Sequence, residues 1–248
     1  MSINGGGGMR AVWVAVVACF SLGALAEPLR LGFGTHKPPY IFEGQARGLE
    51  YDIVVAAAAA AGFQVQVHYL PMERLHLLLR RGEIDAIAPT NTLSGVPAYY
   101  SVPHLTYQNE AVALASRGLK IDSIADLGQY SVSAFQRARY LLGPAFQTMA
   151  ESNPAYREEA QQIARNRLLY SGRIDVVIGD RRILRYFNHE VYEQVDVSQP
   201  LTWYPLFEPT HYQVGFRSRE QRDRFDQGLA QIRANGEYAA IEQRYALY

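Results

Sequence analysis

The strongest hydrophobic pattern in the chain is a helix-to-strand unit that occurs twice. One copy, residues 78–89, reads LLRRGEIDAIAP, and the other, residues 168–180, reads LLYSGRIDVVIGD. In each copy an apolar helix face ends at a glycine, Gly82 or Gly172, which can adopt the left-handed conformation of a helix C-terminus. The apolar run that follows is typical of a strand buried on both faces of a parallel sheet. The duplication therefore predicts two similar α/β lobes.

The hydrophobic runs around the first copy complete one lobe. Strands are predicted at 29–33, 63–70 and 84–88, with helices at 49–61 and 73–81 between them. This order of strand, helix, strand, helix, strand is typical of a parallel sheet with helices on its faces.

The second copy lies in a similar series. Strands are predicted at 111–115, 130–135 and 174–179, with helices at about 137–150 and 181–188. Aromatic or proline-rich segments at 99–107 and 195–210 would cross between the lobes. A strand at 212–216 and helices at 220–234 and 237–245 would return the chain to the first lobe.

Polar residues follow the two buried strands at their carboxyl ends, where ligands bind in open α/β sheets. Thr90, Asn91 and Thr92 follow the first strand, and Asp180 follows the second. Asp180 could equally cap the next helix, because Asp is a favoured N-cap residue. Gln136 ends another buried strand, and we expect the helix that Arg74 opens to face the cleft.

The N-terminal residues have the pattern of an export signal. Arg10 precedes an apolar run at 11–20, and Ala24-Leu25-Ala26 offers small residues for cleavage. The run is too short to span a membrane comfortably. We therefore expect residues 1–26 to be a signal peptide and the mature chain to be periplasmic. Lipid anchoring at Cys19, which follows a sequence resembling a lipoprotein cleavage box, is the alternative.

Composition narrows the range of partners. The chain has 248 residues, a formal net charge of zero and no long run of Lys and Arg, so we expect no nucleic-acid partner. Residues 27–248 contain no cysteine, which excludes disulfides and thiol chemistry there. The six histidines lack metal-ligand spacing, and no glycine-rich phosphate loop follows a strand. We expect neither a metal nor a cofactor.

Short motifs in a fixed order give the chain a family resemblance. They are LRLG at 29–32, PPY at 38–40, Gly48 with YDI at 51–53, GEID at 82–85, YSVP at 100–103, GRID at 172–175 with Asp180, and NGEY at 235–238. Together they resemble the bacterial extracellular solute-binding proteins of family 3, the polar amino-acid type of periplasmic binding protein. The resemblance covers essentially the whole mature chain.

The resemblance implies a two-lobed periplasmic binding protein type II fold, α/β in class. Its sheets would be rich in parallel strands, with helices on both faces and two crossing segments between lobes. Lobe 1 would comprise residues 27–107 and 205–248, and lobe 2 residues 108–204.

The resemblance also implies a function. A monomer would close by hinge motion on a small polar solute, amino-acid-like or carboxylate-bearing, and deliver it to an ABC permease in the inner membrane. One alternative is a ligand-binding module that reports to a membrane regulator. Another is a cyclohexadienyl-type dehydratase, with Glu50 or Glu73 as a buried general acid. We expect a binding protein without catalytic residues.

In the family, an aromatic side chain near Tyr40 packs on the ligand, groups at Thr90 to Thr92 bind its carboxylate, and an aspartate matching Asp180 binds its amino group. This chain departs from that pattern. The family's carboxylate-binding arginine would fall between Ser94 and Pro97, where no residue is basic.

Other basic residues could take over that role. Lys37 stands where the family commonly has a stacking aromatic residue. Arg137 and Arg139 begin a predicted helix, and helix N-termini favour anions, so a carboxylate could be held from this side instead. The expected ligand-binding residues are Lys37, Tyr40, Arg74, Thr90, Asn91, Thr92, Gln136, Arg137, Arg139 and Asp180.

Overall fold

The structure is a computed structural model that describes residues 1–2 and 27–248. The cleavage site and most of the predicted signal peptide, with the alternative anchor at Cys19, lie outside the described residues. None of the described helices combines the length and apolar character needed to cross a membrane.

Strands and helices alternate along the described chain. The strands are β1 (Glu27–Phe33), β2 (Phe63–Tyr69), β3 (Ala86–Thr90), β4 (Tyr99–Tyr100), β5 (Leu105–Tyr107), β6 (Asn109–Leu114), β7 (Val132–Phe135), β8 (Tyr156–Glu159), β9 (Val176–Asp180), β10 (Leu201–Tyr204) and β11 (Thr210–Phe216). The α-helices are α1 (Leu49–Ala60), α2 (Met72–Arg81), α3 (Ala138–Leu141), α4 (Pro144–Ser152), α5 (Gln162–Tyr170), α6 (Arg181–Val191), α7 (Arg219–Ala234) and α8 (Glu237–Arg244).

The first sheet has the strand order β2-β1-β3-β11-β4, with β5 paired to β11. Strand β1 runs parallel to β2 and β3, and β11 runs antiparallel to β3. Helices α1 and α7 pack closely beside it, because a side chain on Gly228 would place its Cβ 2.1 Å from the carbonyl oxygen of Ala57. We call the part of the molecule built on this sheet lobe 1.

The second sheet has the order β10-β6-β9-β7-β8. Strand β7 runs parallel to β8 and β9, whereas β6 runs antiparallel to β9 and β10. We call the part built on this sheet lobe 2. The chain passes from β5 to β6 and returns from β10 to β11, so two segments cross between the lobes. The predicted two-lobed α/β architecture is confirmed.

The two copies of the repeated unit have the same construction. Helices α2 and α5 both lead into glycines in the left-handed region, Gly82 with φ 76° and Gly172 with φ 68°. Asp85 then accepts a hydrogen bond from Arg30 at 2.7 Å, and Asp175 accepts one from Arg117 at 2.6 Å. Each aspartate therefore ties its turn to a neighbouring part of the same lobe.

The structure corrects several predicted elements. The single helix expected at 137–150 is split into α3 and α4 at Gly143, which has φ 92°, and Pro144 begins the second helix. The segment at 99–107 does not only cross, because it contributes β4 and β5 to the first sheet. Strands β8 and β10 were not predicted. Both lie at sheet edges and none of their residues is fully buried, so they lack the hydrophobic run of a central strand.

Candidate functional site

A cavity of about 50 Å³ lies between the two lobes. Lobe 1 contributes Thr35 and Lys37 from the loop after β1, and lobe 2 contributes Gln136, Arg165 and Asp180. Gln136 and Asp180 stand at the carboxyl ends of β7 and β9, so the cavity occupies the place predicted for a ligand. Apolar side chains, including Met72, Phe135, Leu141 and Ile183, complete its wall.

Hydrogen bonds join the lobes on several sides of this cavity. The Thr35 hydroxyl donates to the Ala160 carbonyl at 3.1 Å, and the Glu73 backbone N–H donates to Gln136 Oε1 at 3.2 Å. The Arg137 guanidinium reaches from lobe 2 to the Glu73 carboxylate at 2.9 Å. These contacts hold the two lobes in a closed arrangement.

Asp180 combines the two roles that the sequence left open. Its Oδ1 accepts hydrogen bonds from the backbone N–H groups of Arg182 at 2.9 Å and Ile183 at 3.4 Å, which caps α6. Its Oδ2 faces the other lobe and accepts from the Tyr40 hydroxyl at 3.1 Å and from the Gln108 N–H at 3.2 Å. Burial raises the pKa of Asp180 despite these bonds. About four lone-pair directions are available on a carboxylate, so its accepting capacity is already used.

Tyr40 lies beside the cavity as a buried side chain. Its ring stacks on Tyr107, with the centroids 3.9 Å apart, while its hydroxyl reaches Asp180. The structure thus brings together two predicted ligand-binding residues from opposite lobes. Their contact with a ligand stays a prediction.

Lys37 also lines the cavity, but its charge is neutralised within lobe 1. Its Nζ lies 2.7 Å from the carboxylate of Glu50, and both side chains are buried. Glu50 further accepts a hydrogen bond from the Tyr107 hydroxyl at 2.7 Å and lies 3.1 Å from His104 Nε2. Burial opposes ionisation of Glu50, yet the charge of Lys37 and the hydrogen bond with His104 lower its pKa to about 2.

Glu50, one of the two carboxylic acids considered for dehydratase chemistry, therefore lacks the raised pKa of a buried general acid. Glu50 lies beneath Lys37 and Tyr107 and is ionised. Glu73 has a side chain that is 53% exposed and ion-paired with Arg137.

Thr90, Asn91 and Thr92 lie to one side of the cavity. Thr90 is buried, with its hydroxyl 3.5 Å from His76 Nε2. Asn91 Oδ1 accepts a hydrogen bond from the Leu93 N–H at 2.9 Å, which stabilises the turn after β3. Asn91 and Thr92 instead line a more open groove of about 460 Å³ beside the crossing segments.

The remaining predicted basic residues are not free at the cavity. Arg74 is exposed to solvent. Glu158 accepts hydrogen bonds from the backbone N–H groups of Arg137 at 2.7 Å and Arg139 at 3.1 Å, so the protein's own carboxylate occupies the start of α3. Arg139 also forms an ion pair with Glu158 at 3.2 Å. The structure therefore places these three arginines away from the cavity lining, and a role for them in binding stays a prediction.

Sequence reasoning missed Arg165, a cavity-lining residue on α5. Its side chain is among the largest that are fully buried, with 1% relative exposure of the residue. Nη1 donates to the Ile178 carbonyl at 2.8 Å, and Nη2 donates to Gln162 Oε1. Neither partner is charged, and Arg165 takes part in no ion pair among the described residues. Burial lowers the pKa of this guanidinium to about 10.

The repeat itself carried the signal that could have revealed Arg165. It lies seven residues before Gly172, just as Leu75 lies seven residues before Gly82. Leu75 is fully buried under its sheet. An arginine at the equivalent buried position of the other copy is unusual, because arginine is rarely buried without a partner.

Within residues 1–2 and 27–248, no group of three or more His, Cys, Asp or Glu side chains is arranged to hold a metal ion.

Most of the chain matches the model of a known protein family. Residues 29–248 match the model of the bacterial extracellular solute-binding proteins, family 3. A comparison with curated protein sequences finds no match.

Solved structures with the same fold are distant in sequence. An ancestral arginine-binding protein bound to arginine has a TM-score of 0.72 and 18% identity, over 89% of this chain and 99% of that one. A histidine kinase sensor domain similar to periplasmic binding proteins has a TM-score of 0.73 and 19% identity, over 89% and 96%. The arginine-, lysine-, histidine-binding protein ArtJ of Geobacillus stearothermophilus has a TM-score of 0.71 and 16% identity, over 88% and 95%. At these identities the likeness shows the type II binding-protein fold.

Proposed function

The chain belongs to the bacterial extracellular solute-binding proteins of family 3, and we propose that it captures a small polar solute between its lobes for an ABC importer. The observation that carries this proposal is the cavity at the carboxyl ends of the central strands, whose lining includes polar side chains from both lobes. A solute bound there would contact both lobes and would therefore favour the closed arrangement.

The polar groups at the cavity suggest how the solute is oriented. Gln136 offers an amide beside the interlobe contacts, and Asp180 and Tyr40 form a hydrogen-bonded pair across the cleft at 3.1 Å. An amino group on the solute would reach Asp180 by replacing the Tyr40 hydroxyl. The solute is thus amino-acid-like or carboxylate-bearing in this proposal.

We further propose that the lobes move as the units 27–107 with 205–248, and 108–204. Opening would break the side-chain contacts of Tyr40, Thr35 and Arg137 across the cleft, while the two crossing segments stay covalently continuous. The protein acts as a monomer in the periplasm after removal of residues 1–26, and its partner is a permease in the inner membrane.

Ligand-induced closure is the test of this function. Residues 27–248 contain no cysteine, so Glu220→Cys on lobe 1 and Glu151→Cys on lobe 2 can carry a pair of fluorescent labels at exposed sites. The labelled, ligand-stripped protein is titrated with amino acids, organic acids and amines, and energy transfer and thermal stability are recorded. A solute at a hundred times its dissociation constant should add about 2.7 kcal/mol of stability. A change in transfer together with stabilisation supports the proposal, and the absence of both across the panel contradicts it.

A further inference from the structure

We propose that Arg165 binds a carboxylate of the solute from lobe 2, and that this group, rather than an amino group, is what the site primarily selects. The inference rests on the proposed function and adds the chemical class of the solute and the residue that recognises it.

Arg165 has donors to spare at the cavity. An arginine has five N–H donors in a fixed fork. Two contacts, with Ile178 and Gln162, are made by Nη1 and Nη2, and Nε is buried without a hydrogen-bond partner in the described part of the chain. Since the residue lines the cavity, a ligand there can accept from the fork. A carboxylate fits best, because its two oxygens match the guanidinium in a bidentate arrangement.

Among the described residues no carboxylate forms an ion pair with Arg165, although the charges of Glu159 and Asp180 act on it from farther away. The other buried cation of the lining, Lys37, is neutralised by Glu50 at 2.7 Å. Asp180 already accepts four hydrogen bonds from protein groups. A charged arginine is costly to bury without a counter-ion. A solute carboxylate would supply a counter-ion in direct contact with Arg165, which none of the described carboxylates does.

The architecture of the lobe does not require an arginine at this position. The equivalent residue of the other lobe is Leu75, which fills the same place beneath its sheet. Lobe 2 also leaves room for the larger head group. A Cβ on Gly179 would lie 3.3 Å from Arg165 Nη1, and the residue equivalent to Gly179 in the first copy is Pro89. The guanidinium and the glycine beside it form a specialised feature of lobe 2.

The experiment is a binding assay by calorimetry on the ligand-stripped mature chain. The probes form matched sets with the same number of carbon atoms and different charged groups: propionate, alanine and propylamine, then butyrate, γ-aminobutyrate and butylamine, then succinate, aspartate and putrescine. The inference predicts that every probe that binds carries a carboxylate. It also predicts that removing the amino group weakens binding less than removing the carboxylate.

Variants then assign the carboxylate to its residue. Arg165→Gln should weaken carboxylate binding at least about 100-fold, because two charge-assisted hydrogen bonds are lost. Arg165→Lys keeps the charge but not the fork and should recover only part of the affinity. Gly179→Ala keeps Arg165 itself and should weaken binding of order tenfold by displacing Nη1. Arg117→Gln, which removes an arginine paired with Asp175 away from the cavity, is the matched control and should bind as the parent does.

The outcomes separate this inference from the proposed function. Binding by amines alone, or unchanged carboxylate affinity in both Arg165→Gln and Gly179→Ala, would overturn the assignment while leaving a solute-binding protein. If Arg165→Gln does not fold, the carboxylate affinity of Gly179→Ala decides whether Arg165 binds the carboxylate: an unchanged affinity would overturn the assignment. If the parent protein binds none of the probes, the result would count against the proposed function and also against this inference.

Discussion

Each lobe buries one cation at the edge of the cleft, and the two are treated differently. Lys37 in lobe 1 is paired with Glu50 at 2.7 Å, and Tyr107 and His104 complete the hydrogen bonding of that carboxylate. Arg165 in lobe 2 has only neutral acceptors, the Ile178 carbonyl and Gln162. A buried cation that is paired becomes destabilising when its partner is removed, and a buried cation without a direct partner is a cost unless something else supplies the anion. The comparison distinguishes a structural charge from one that is available to a ligand.

Equivalent positions in the two copies of the repeated unit can be compared in the same way. Gly82 and Gly172, and Asp85 and Asp175, have equivalent conformations and contacts in the two lobes. The units also differ at Leu75, which is fully buried in the core of lobe 1, and Arg165, which lines the cavity. At the turns the geometry is alike although some side chains differ, as Glu83 and Arg173 do.

The largest effect on folding is expected when the buried leucine of the first copy is replaced by the arginine of the second. Leu75→Arg would remove a buried leucine, worth about 2–5 kcal/mol, and bury a charge with no partner. A Cβ on the neighbouring Gly32 would already lie 2.4 Å from the Leu75 side chain, so little room exists for a longer group. We expect little folded protein in the soluble fraction. A yield and circular dichroism spectrum like the parent's would show that the lobe tolerates an arginine here.

The next effect tests whether Lys37 is a structural charge. Glu50→Gln leaves a buried ammonium without its carboxylate and should cost about 3–5 kcal/mol in the free energy of unfolding. Urea titration followed by the fluorescence of Trp203 measures it. Glu83→Gln is the control, because Glu83 and its partner Arg81 are 55% and 61% exposed and the loss should be about 1 kcal/mol or less. Equal losses in the two variants would mean that the Lys37 pair contributes no more than a surface pair.

The same carboxylate gives a dependence of stability on pH. The pKa of Glu50 is about 2 in the folded protein, against an ordinary value of 4.5. A lowered pKa contributes stability that is complete above the ordinary value and is lost as pH falls toward the folded value. We therefore expect the parent to lose stability between about pH 4.5 and pH 2 more steeply than Glu50→Gln. If stability falls equally with pH in the two proteins, Glu50 does not have a lowered pKa in the folded state.

The smallest effects concern the equivalent ends of the repeat. Asp85→Asn and Asp175→Asn should each cost about 1–2 kcal/mol, because each aspartate loses a partly exposed ion pair and the carboxylate character of its hydrogen bonds. Arginine contacts lower the pKa of Asp85, and the pKa of Asp175 is lowered, despite burial, by Ser131 and Arg117. Both contributions should fade as pH falls below about 3.8, the ordinary pKa of aspartate. A loss confined to one variant would show that the two turns are not equivalent.

Local patterns predicted the lobes well and the site only in part. The duplicated helix, glycine and strand specify their own conformation, because the left-handed turn and the buried strand depend on nearby residues. The N-cap role of Asp180 is local in the same way and was foreseen as one of two options. Edge strand β8 could not be recognised, since an edge strand with no fully buried residue lacks a hydrophobic run.

The charges of the cleft depend on contacts that the sequence does not display. Lys37 was predicted to face the ligand, and only the fold shows that Glu50 lies against it. Arg137 and Arg139 were expected to offer an anion site, but Glu158, which comes from a strand that was not predicted, is bound there. Arg165 was missed because an arginine among helix residues is ordinarily taken as solvent-exposed.

The most direct test of the central claim compares unfolding free energies of the parent and Arg165→Leu, each with and without a carboxylate that binds the parent. Without it, Arg165→Leu should be the more stable protein, by about 1 kcal/mol or more, because an unbalanced buried charge is removed. With it, the parent should gain about 2.7 kcal/mol at a hundred times its dissociation constant while the variant gains about 0.4 kcal/mol or less, so the order of stability reverses. A variant that is less stable than the parent and still gains stability from the carboxylate would show that Arg165 is a structural residue.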